Sequence, residues 1–346
     1  MRPPLVSVIT PCHNAAEFVG ETIASVLAQT HGAVEHILVD DASTDGSWAI
    51  LAGFVGLHPA RIRAIRLPAN LGGSHARNRG FQDARGEYVI FLDADDLIAP
   101  GTLAALVEAV KDRPNSLAVC GWRRLKRVNG AWTPAPADAP LPPESSDAAL
   151  RGWLDGSAWV PPCALLWRRD AYLATGGWDE TLTLNDDGDL AMRALAGGCG
   201  VVRAAGGEAF YRWHDAARVS VSQSFLKADR VRSQIHVLDK LADVLRAQGR
   251  SAEFGAALGR AYAGAAYLGF QNRHPELGRE AAAKARALAG RVLVSPRAGG
   301  RVLEALLGLE RKERWVQRLA GLGMMTAQRR RIVRLREVQA RDEGGK

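Results

Sequence analysis

What most limits the fold of this chain is a pattern repeated through its first hundred residues: a short apolar run, a polar cluster, then a helical stretch. Val6-Ser7-Val8-Ile9-Thr10 reads as a buried strand and stops at Pro11-Cys12-His13-Asn14. Asn14 can cap the next helix, with Glu17 in a capping-box position and Val19, Ile23, Val26 and Leu27 as the apolar stripe. His36 to Val39 is a second strand and ends at Asp40-Asp41; Ser43-Thr44-Asp45-Gly46 then opens a helix with Trp48, Leu51 and Val55 on its apolar side. Ile62 to Leu67 is a third strand, and Tyr88 to Leu92 a fourth that runs into Asp93-Ala94-Asp95-Asp96. Such alternation gives an α/β fold, a mostly parallel sheet flanked by helices. Ligands of these sheets bind beyond the carboxyl ends of the strands. Three polar clusters fall there: Pro11–Asn14, Asp40-Asp41 and Asp93–Asp96.

Downstream, a helix is expected near residues 100–111 and a strand from Leu117 to Val128, with Asn129-Gly130 as a hairpin turn. The Pro-rich stretch from Thr133-Pro134 to Pro142-Pro143 reads as a surface loop. Cys163 to Trp167 is a further short strand, Leu190 to Ala196 lies in a helix, and Tyr211-Arg212-Trp213-His214 follows a short strand. From about residue 222 the composition is helical, over Leu226–Leu245, Ala256–Gly269 and Glu276–Ala289.

Three carboxylates within Asp93–Asp96 repel one another unless a cation neutralises them. Hard oxygen ligands suit Mg²⁺ or Mn²⁺; the competing reading is a solvated turn with capping acids. Asp40 or Asp41 can accept a hydrogen bond from a base N–H or a ribose hydroxyl, or simply cap the next helix. Arg77, behind the Gly72-Gly73 pair, can reach a diphosphate, while Arg79 is as well placed to face solvent. A second acidic region, Trp178-Asp179-Glu180 and Asn185-Asp186-Asp187-Gly188-Asp189, precedes a helix. A carboxylate at a helix N-terminus is stabilised as the anion, so its pKa should stay below neutral and leave it able to accept a proton. His214 is either a ligand to metal or phosphate or a structural histidine.

Taken in order, these pieces resemble an inverting family 2 glycosyltransferase of bacterial type, with the GT-A (Rossmann-like) fold, over roughly residues 5–220. The resemblance rests on the Val6–Asn14 run, Val39-Asp40-Asp41 through Ser47, Ala76-Arg77-Asn78, Gly86 through Asp96, and Gly176-Gly177-Trp178-Asp179-Glu180 leading into Asp186–Leu190. It implies a donor half at about 1–98, an acceptor half at about 99–220, and a helical C-terminal region over 221–346. By the resemblance Pro11 and the adjacent backbone line the donor base pocket, Asn14 belongs to the nucleotide-sugar site, Asp41 binds the base, usually uracil, and Asp40 supports it. Arg77, Asp93 and Ala94 belong to the nucleotide-sugar site. Asp93 and Asp95 form the family's DxD pair, with Asp95 the direct metal ligand, His214 a further candidate, and Asp96 a ligand through water or a support. Asp187 matches the general base. The family commonly has Glu-Asp where this chain has Asp186-Asp187, so Asp186 is a second candidate, and His13 stands where a tyrosine is frequent. The implied reaction moves a sugar from a nucleotide-sugar donor, a UDP-sugar foremost, to a hydroxyl of a glycan or lipid-linked acceptor in surface polysaccharide or glycoconjugate synthesis. The cofactor is Mn²⁺ or Mg²⁺.

Charge argues about partners. The chain carries +8 overall, and residues 297–346 hold +7 of it. A nucleic-acid site would spread basic residues over a folded surface with aromatics, so no nucleic-acid partner is expected. The tail over 299–340 is amphipathic, with Val302, Leu306, Leu309, Trp315 and Leu319 on one side and Arg329-Arg330-Arg331, Arg334 and Arg336 clustered. It suits either anionic lipid or a packing or dimerising helix. With no apolar run of membrane-spanning length and too short an N-terminal run for a signal peptide, the expected place is the cytoplasm, including the cytoplasmic face of the inner membrane. Four scattered cysteines, Cys12, Cys120, Cys163 and Cys199, read as free thiols. Two rival readings remain. A sugar nucleotidyltransferase would open with a Gly-rich basic loop after the first strand, where this chain has Pro11-Cys12-His13-Asn14. A catalytically inactive binding module would be expected to lose acids from one of the clusters.

Overall fold

The structure, a computed structural model, describes residues 3–136, 141–214, 227–290, 292, 301, 304 and 307–321. The chain divides into two compact units, Met1–Leu182 with Asp186–His214, and Thr183–Asn185 with Asp215–Lys346.

The first unit is built on one nine-stranded sheet. Its strands are β1 (Val6–Cys12), β2 (Val34–Asp40), β3 (Ile62–Arg66), β4 (Tyr88–Phe91), β5 (Leu97–Ile98), β6 (Ser116–Val128), β7 (Ala131–Pro134), β8 (Leu165–Arg168) and β9 (Gly200–Arg212). They lie in the order β3-β2-β1-β4-β8-β6-β9-β5, with β7 beside β6. The stretch β3-β2-β1-β4 is entirely parallel. Beyond it β8 runs antiparallel to both β4 and β6, while β6 and β9 are parallel. Helices α1 (Val19–Leu27), α2 (Ser47–Leu57), α3 (Gly73–Asp83), α4 (Thr102–Val110), α5 (Ser146–Asp155), α6 (Arg169–Ala174) and α7 (Asp186–Ala196) complete the unit. Every residue of β2 and β4 is buried, the continuous apolar pattern of strands covered on both faces.

The close approach of α3 to the sheet explains Gly80. A Cβ there would sit 2.6 Å from Ile9 Cγ2 and 3.1 Å from Val39 Cγ2, so a side chain would lift the helix that carries Ser74 and Arg77. Pro11 is tolerated within β1 because β4 ends at Phe91 opposite Ile9, so at Pro11 the strand pairs only with β2.

Four expectations are corrected. Asn14 does not cap α1, and Glu17 forms no capping box there: the helix starts at Val19 after Phe18, and Asn14 takes φ 49° in the preceding turn. Its side-chain oxygen accepts from Thr44 N–H at 2.8 Å instead, because tying the β1 and β2 loops together satisfies it better. Thr133 and Pro134 are not loop: they end β7, whose turn places Asn129 and Gly130 at φ 51° and 85°. Pro134 fits because β7 is an edge strand. Cys163 lies in a 3₁₀ turn, Pro162–Ala164, ahead of β8. Tyr211 and Arg212 do not follow a short strand; they close the thirteen-residue β9.

The second unit is helical: α8 (Ala228–Ala247), α9 (Ser251–Gln271), α10 (Pro275–Ala289) and α11 (Leu309–Gly321). Val231, Ile235, Leu238, Leu241 and Leu245 recur at helical spacing and are buried along α8. Gly259 lets α9 and α10 meet, since a Cβ there would lie 2.3 Å from Ala289 Cβ. Asp239 ties the unit together by accepting from Tyr262 Oη at 2.7 Å and pairing with Lys284 at 2.7 Å. Trp315 is 46% exposed on α11. Leu226, Val302, Leu306, the Leu319 side chain and the arginines at 329–336 lie outside the described residues. No helix among the described residues is long and apolar enough to cross a membrane.

Candidate active site

The parallel strands bring the first two clusters together. Asp41 N–H donates to Cys12 O at 2.8 Å, and His13 Nδ1 lies 2.7 Å from Asp41 O. Asp40 is fully buried, paired with Arg66 at 3.2 Å and accepting from Ser43 N–H. The Asp41 carboxylate accepts the Leu71 and Gly72 N–H groups, each at 2.8 Å. These bonds shape the turn that launches α3, with Gly72 at φ 93°, and leave each oxygen one further lone pair. Asn70 Nδ2 reaches His13 Nε2 at 2.9 Å. His13, Asn14, Asp41 and Asn70 thus cluster beside Pro11 at the carboxyl ends of β1 and β2.

The third cluster divides by partner. Arg77, 10% exposed, holds Asp93 Oδ1 at 2.7 Å with one nitrogen and Asp186 Oδ2 at 3.0 Å with another. Burial works against its charge, but Asp93 and Asp186 outweigh that and hold the guanidinium protonated. Trp178 stacks on it, with Cζ 4.3 Å from the ring centre. Asp95, 32% exposed, meets His214 Nε2 at 2.6 Å. His214 in turn packs against Phe18 and Trp132. Asp96 points inward: it accepts the Arg212 N–H at 2.8 Å and the Cys163 thiol. Ala94 is buried, and its carbonyl accepts from Thr22 at 2.9 Å, which anchors the turn. Burial raises Asp93 above the usual carboxylate range, with Arg77 opposing and Asp95 adding to the rise. Asp96 is raised further by burial and by Asp95 and Asp93.

This donor set suits a hard divalent cation, which would relieve the mutual repulsion of the carboxylates. Among the described residues no three His, Cys, Asp or Glu side chains converge into a ready cage. An open site of one or two protein ligands completed by phosphate oxygens is how Mg²⁺-type ions bind nucleotides.

The second acidic region also divides by partner. Asn78 Nδ2 donates to Trp178 O at 2.8 Å and to Glu180 Oε1 at 2.8 Å, and its oxygen accepts Trp178 N–H at 3.0 Å. His75 pairs with Glu180 at 2.7 Å, and Asp179 accepts from Thr181 N–H. Gly176 and Gly177, at φ 79° and 85°, provide the backbone for this clasp. Asp189 pairs with Arg193 at 2.6 Å. Asp186 is held by Ser74 and Arg77.

Asp187 differs from these: its oxygens accept the Trp159 indole N–H at 2.9 Å and its neighbour Gly188 N–H at 2.9 Å. Its pKa is pushed up to about 6, chiefly by burial and then by Asp186, with Trp159 opposing. The helix terminus therefore does not set its acidity, because burial outweighs the dipole; the group still ionises below neutrality. Sequence reasoning missed Trp159 and Ser74. Trp159 sits 28 residues upstream in a loop with no motif, and only the fold brings it to Asp187.

Residues 7–173 match the family described as Glycosyl transferase family 2. Bacillus subtilis TuaG, whose name provisionally assigns it to teichuronic acid biosynthesis as a glycosyltransferase, is 40% identical over 119 residues, 34% of this chain and 47% of TuaG. The chain spans about half or less of the length of the first curated relatives it matches. Among solved structures, Staphylococcus aureus TarS 1-349 in complex with UDP-GlcNAc aligns with a TM-score of 0.56 at 18% identity, covering 85% of this chain and 97% of that one. Mannosyltransferase PcManGT from Pyrobaculum calidifontis, in complex with GDP-Man and Mn²⁺, gives 0.53 at 22%, covering 90% and 82%. The fold is GT-A, and residues 7–173 match glycosyl transferase family 2.

Proposed function

We propose that this chain is a metal-dependent inverting glycosyltransferase. It takes a sugar from a nucleotide-sugar donor, a UDP-sugar in the first instance, and passes it to a hydroxyl of a glycan or lipid-linked acceptor in polysaccharide or glycoconjugate synthesis. One observation carries this reading: Asp186 and Asp93 are tied to Arg77, while Asp187 stands apart with its pKa near 6, ready to accept a proton at neutral pH. The UDP-GlcNAc of the TarS complex and the GDP-Man and Mn²⁺ of the PcManGT complex support the donor class and the cation.

In this reading the cluster at Pro11, Asn14, Asp40 and Asp41 takes the base and ribose. Asp95, Asp93 and His214, beside Ala94, would hold Mn²⁺ or Mg²⁺. Bound there, the cation supplies charge stabilisation for the departing diphosphate. Arg77 keeps Asp93 and Asp186 in register across the donor site. Asp187 takes the proton of the acceptor hydroxyl as its oxygen attacks the anomeric carbon. The bond from that carbon to the diphosphate oxygen breaks on the opposite side, and its electron pair leaves with the nucleoside diphosphate. Asp187, rather than Asp186, is the base, since Asp186 is committed to Ser74 and Arg77.

The purified chain should release nucleoside diphosphate from one member of a nucleotide-sugar panel with Mn²⁺ or Mg²⁺. Binding without turnover across the panel would instead favour an inactive module. The basic tail is a proposal from sequence alone: membrane contact predicts that the chain floats with anionic liposomes and that removing residues 299–346 abolishes this.

A further inference from the structure

The wall beside Asp187 has a feature that donor chemistry leaves unused. β6 and β9 run in parallel with Trp122 opposite Ala209 and Arg124 opposite Tyr211. Side chains two apart share a sheet face. The ladder continues past β9, where Trp213 N–H donates to Leu125 O at 2.9 Å, so Trp213 falls on the side of Tyr211. Trp159 meets this face edge-on, 5.2 Å from Trp122 and 5.5 Å from Tyr211 between ring centres. The Arg124 guanidinium lies over Trp213 at 4.8 Å and over Trp122 at 5.5 Å.

Trp122 is core, 5% exposed, but Trp159, Tyr211 and Trp213 are only half-buried. Rings recruited merely to fill the interior would be covered like Trp167, at 2%. The link to chemistry is direct. A nucleophile that gives its proton to Asp187 must approach to about 3 Å, and the Trp159 indole N–H already occupies one oxygen of that carboxylate. The nucleophile therefore arrives beside the Trp159 ring.

We propose that Trp159, Tyr211 and Trp213 form the acceptor subsite, and that the acceptor unit bound there is a pyranose ring whose C–H face packs on one of these rings while the others, steeply inclined to it, flank the sugar. This rests on the sugar-transfer reading above. Aromatic faces carry partial negative charge, and the C–H groups on one face of a pyranose are weakly positive and apolar. An aromatic wall with a few fixed polar groups is the usual construction of a small-ligand site.

The test uses the full chain with Mn²⁺, the donor identified from the nucleotide-sugar panel, and p-nitrophenyl β-glucoside, β-galactoside and β-N-acetylglucosaminide as acceptor probes, with decanol as the ring-free comparison. Transfer to at least one pyranoside is expected. Trp213→Ala and Tyr211→Ala should raise its KM about tenfold, the size of one aromatic contact, with donor KM within about twofold of the parent. Trp213→Phe should recover most of the loss, which separates a lost platform from a damaged fold. Unchanged acceptor KM in both alanine variants, or transfer to decanol alone, would overturn the platform while the donor reading stands. If the parent chain turned over no nucleotide-sugar, the donor reading would fall and the platform with it.

Discussion

The acids of the first unit's parallel half and Asp187 of its mixed half are held in different ways. In the parallel half, Asp40, Asp41 and Asp93 end strands and are gripped by Arg66, by the Leu71 and Gly72 N–H groups, and by Arg77. Such acids are fixed as acceptors and charge partners. In the mixed half, Asp187 sits at the head of α7 against Trp159, and burial moves its pKa to about 6. The contrast separates two tasks: the gripped acids suit binding a polar, charged donor, and the displaced one suits moving a proton. Arg77 joins the halves by holding one acid from each, Asp93 and Asp186.

The sharpest way to break this division is to neutralise both members of the acidic pair in turn. Asp187→Asn should cut kcat by roughly 10²- to 10⁴-fold, the range for general-base loss, while donor affinity measured by calorimetry stays near that of the parent. Asp186→Asn should instead weaken the Arg77 bridge and raise donor KM; equal kcat losses in both variants would dissolve the distinction. Asp95→Ala is expected to lower activity by about 10²-fold and abolish the response to added Mn²⁺, consistent with lost charge stabilisation, as read in metal titrations of nucleoside diphosphate release. Arg77→Lys keeps the charge but cannot hold two carboxylates in a planar fork, and should cost about tenfold in kcat/KM. The smallest effect falls on the clasp. Asn78→Ala removes three hydrogen bonds to the 178–180 turn and should destabilise by about 1–3 kcal/mol, visible as a lower Tm in a thermal melt.

Much of the parallel half was legible in sequence because its signals are local. The apolar runs at Val6–Thr10, His36–Val39 and Tyr88–Leu92 became β1, β2 and β4, and the acids Asp40-Asp41 and Asp93 marked the ends of the last two. The helix starts were less legible: Asn14 and Glu17 matched a capping box, yet Asn14 bonds Thr44, a partner thirty residues away. In the mixed half the important contacts are non-local. Nothing near Trp159 announces that it will meet Asp187, and nothing near Asn78 announces the Trp178 turn. Asp179, Glu180 and Asp189 looked like chemistry as a run of acids, but tertiary pairing with Thr181, His75 and Arg193 makes them structural.

The most direct test of Asp187 as the base is the pH dependence of kcat for nucleoside diphosphate release, compared between the parent chain and Trp159→Phe. A base must be ionised to accept the proton, and burial has raised its pKa, so kcat should fall as pH drops through about 6. The Trp159 N–H favours the ionised form, so its removal should move that acid limb to higher pH. A parent profile flat from pH 5 to 8, or a limb that does not move in Trp159→Phe, would contradict the assignment of Asp187.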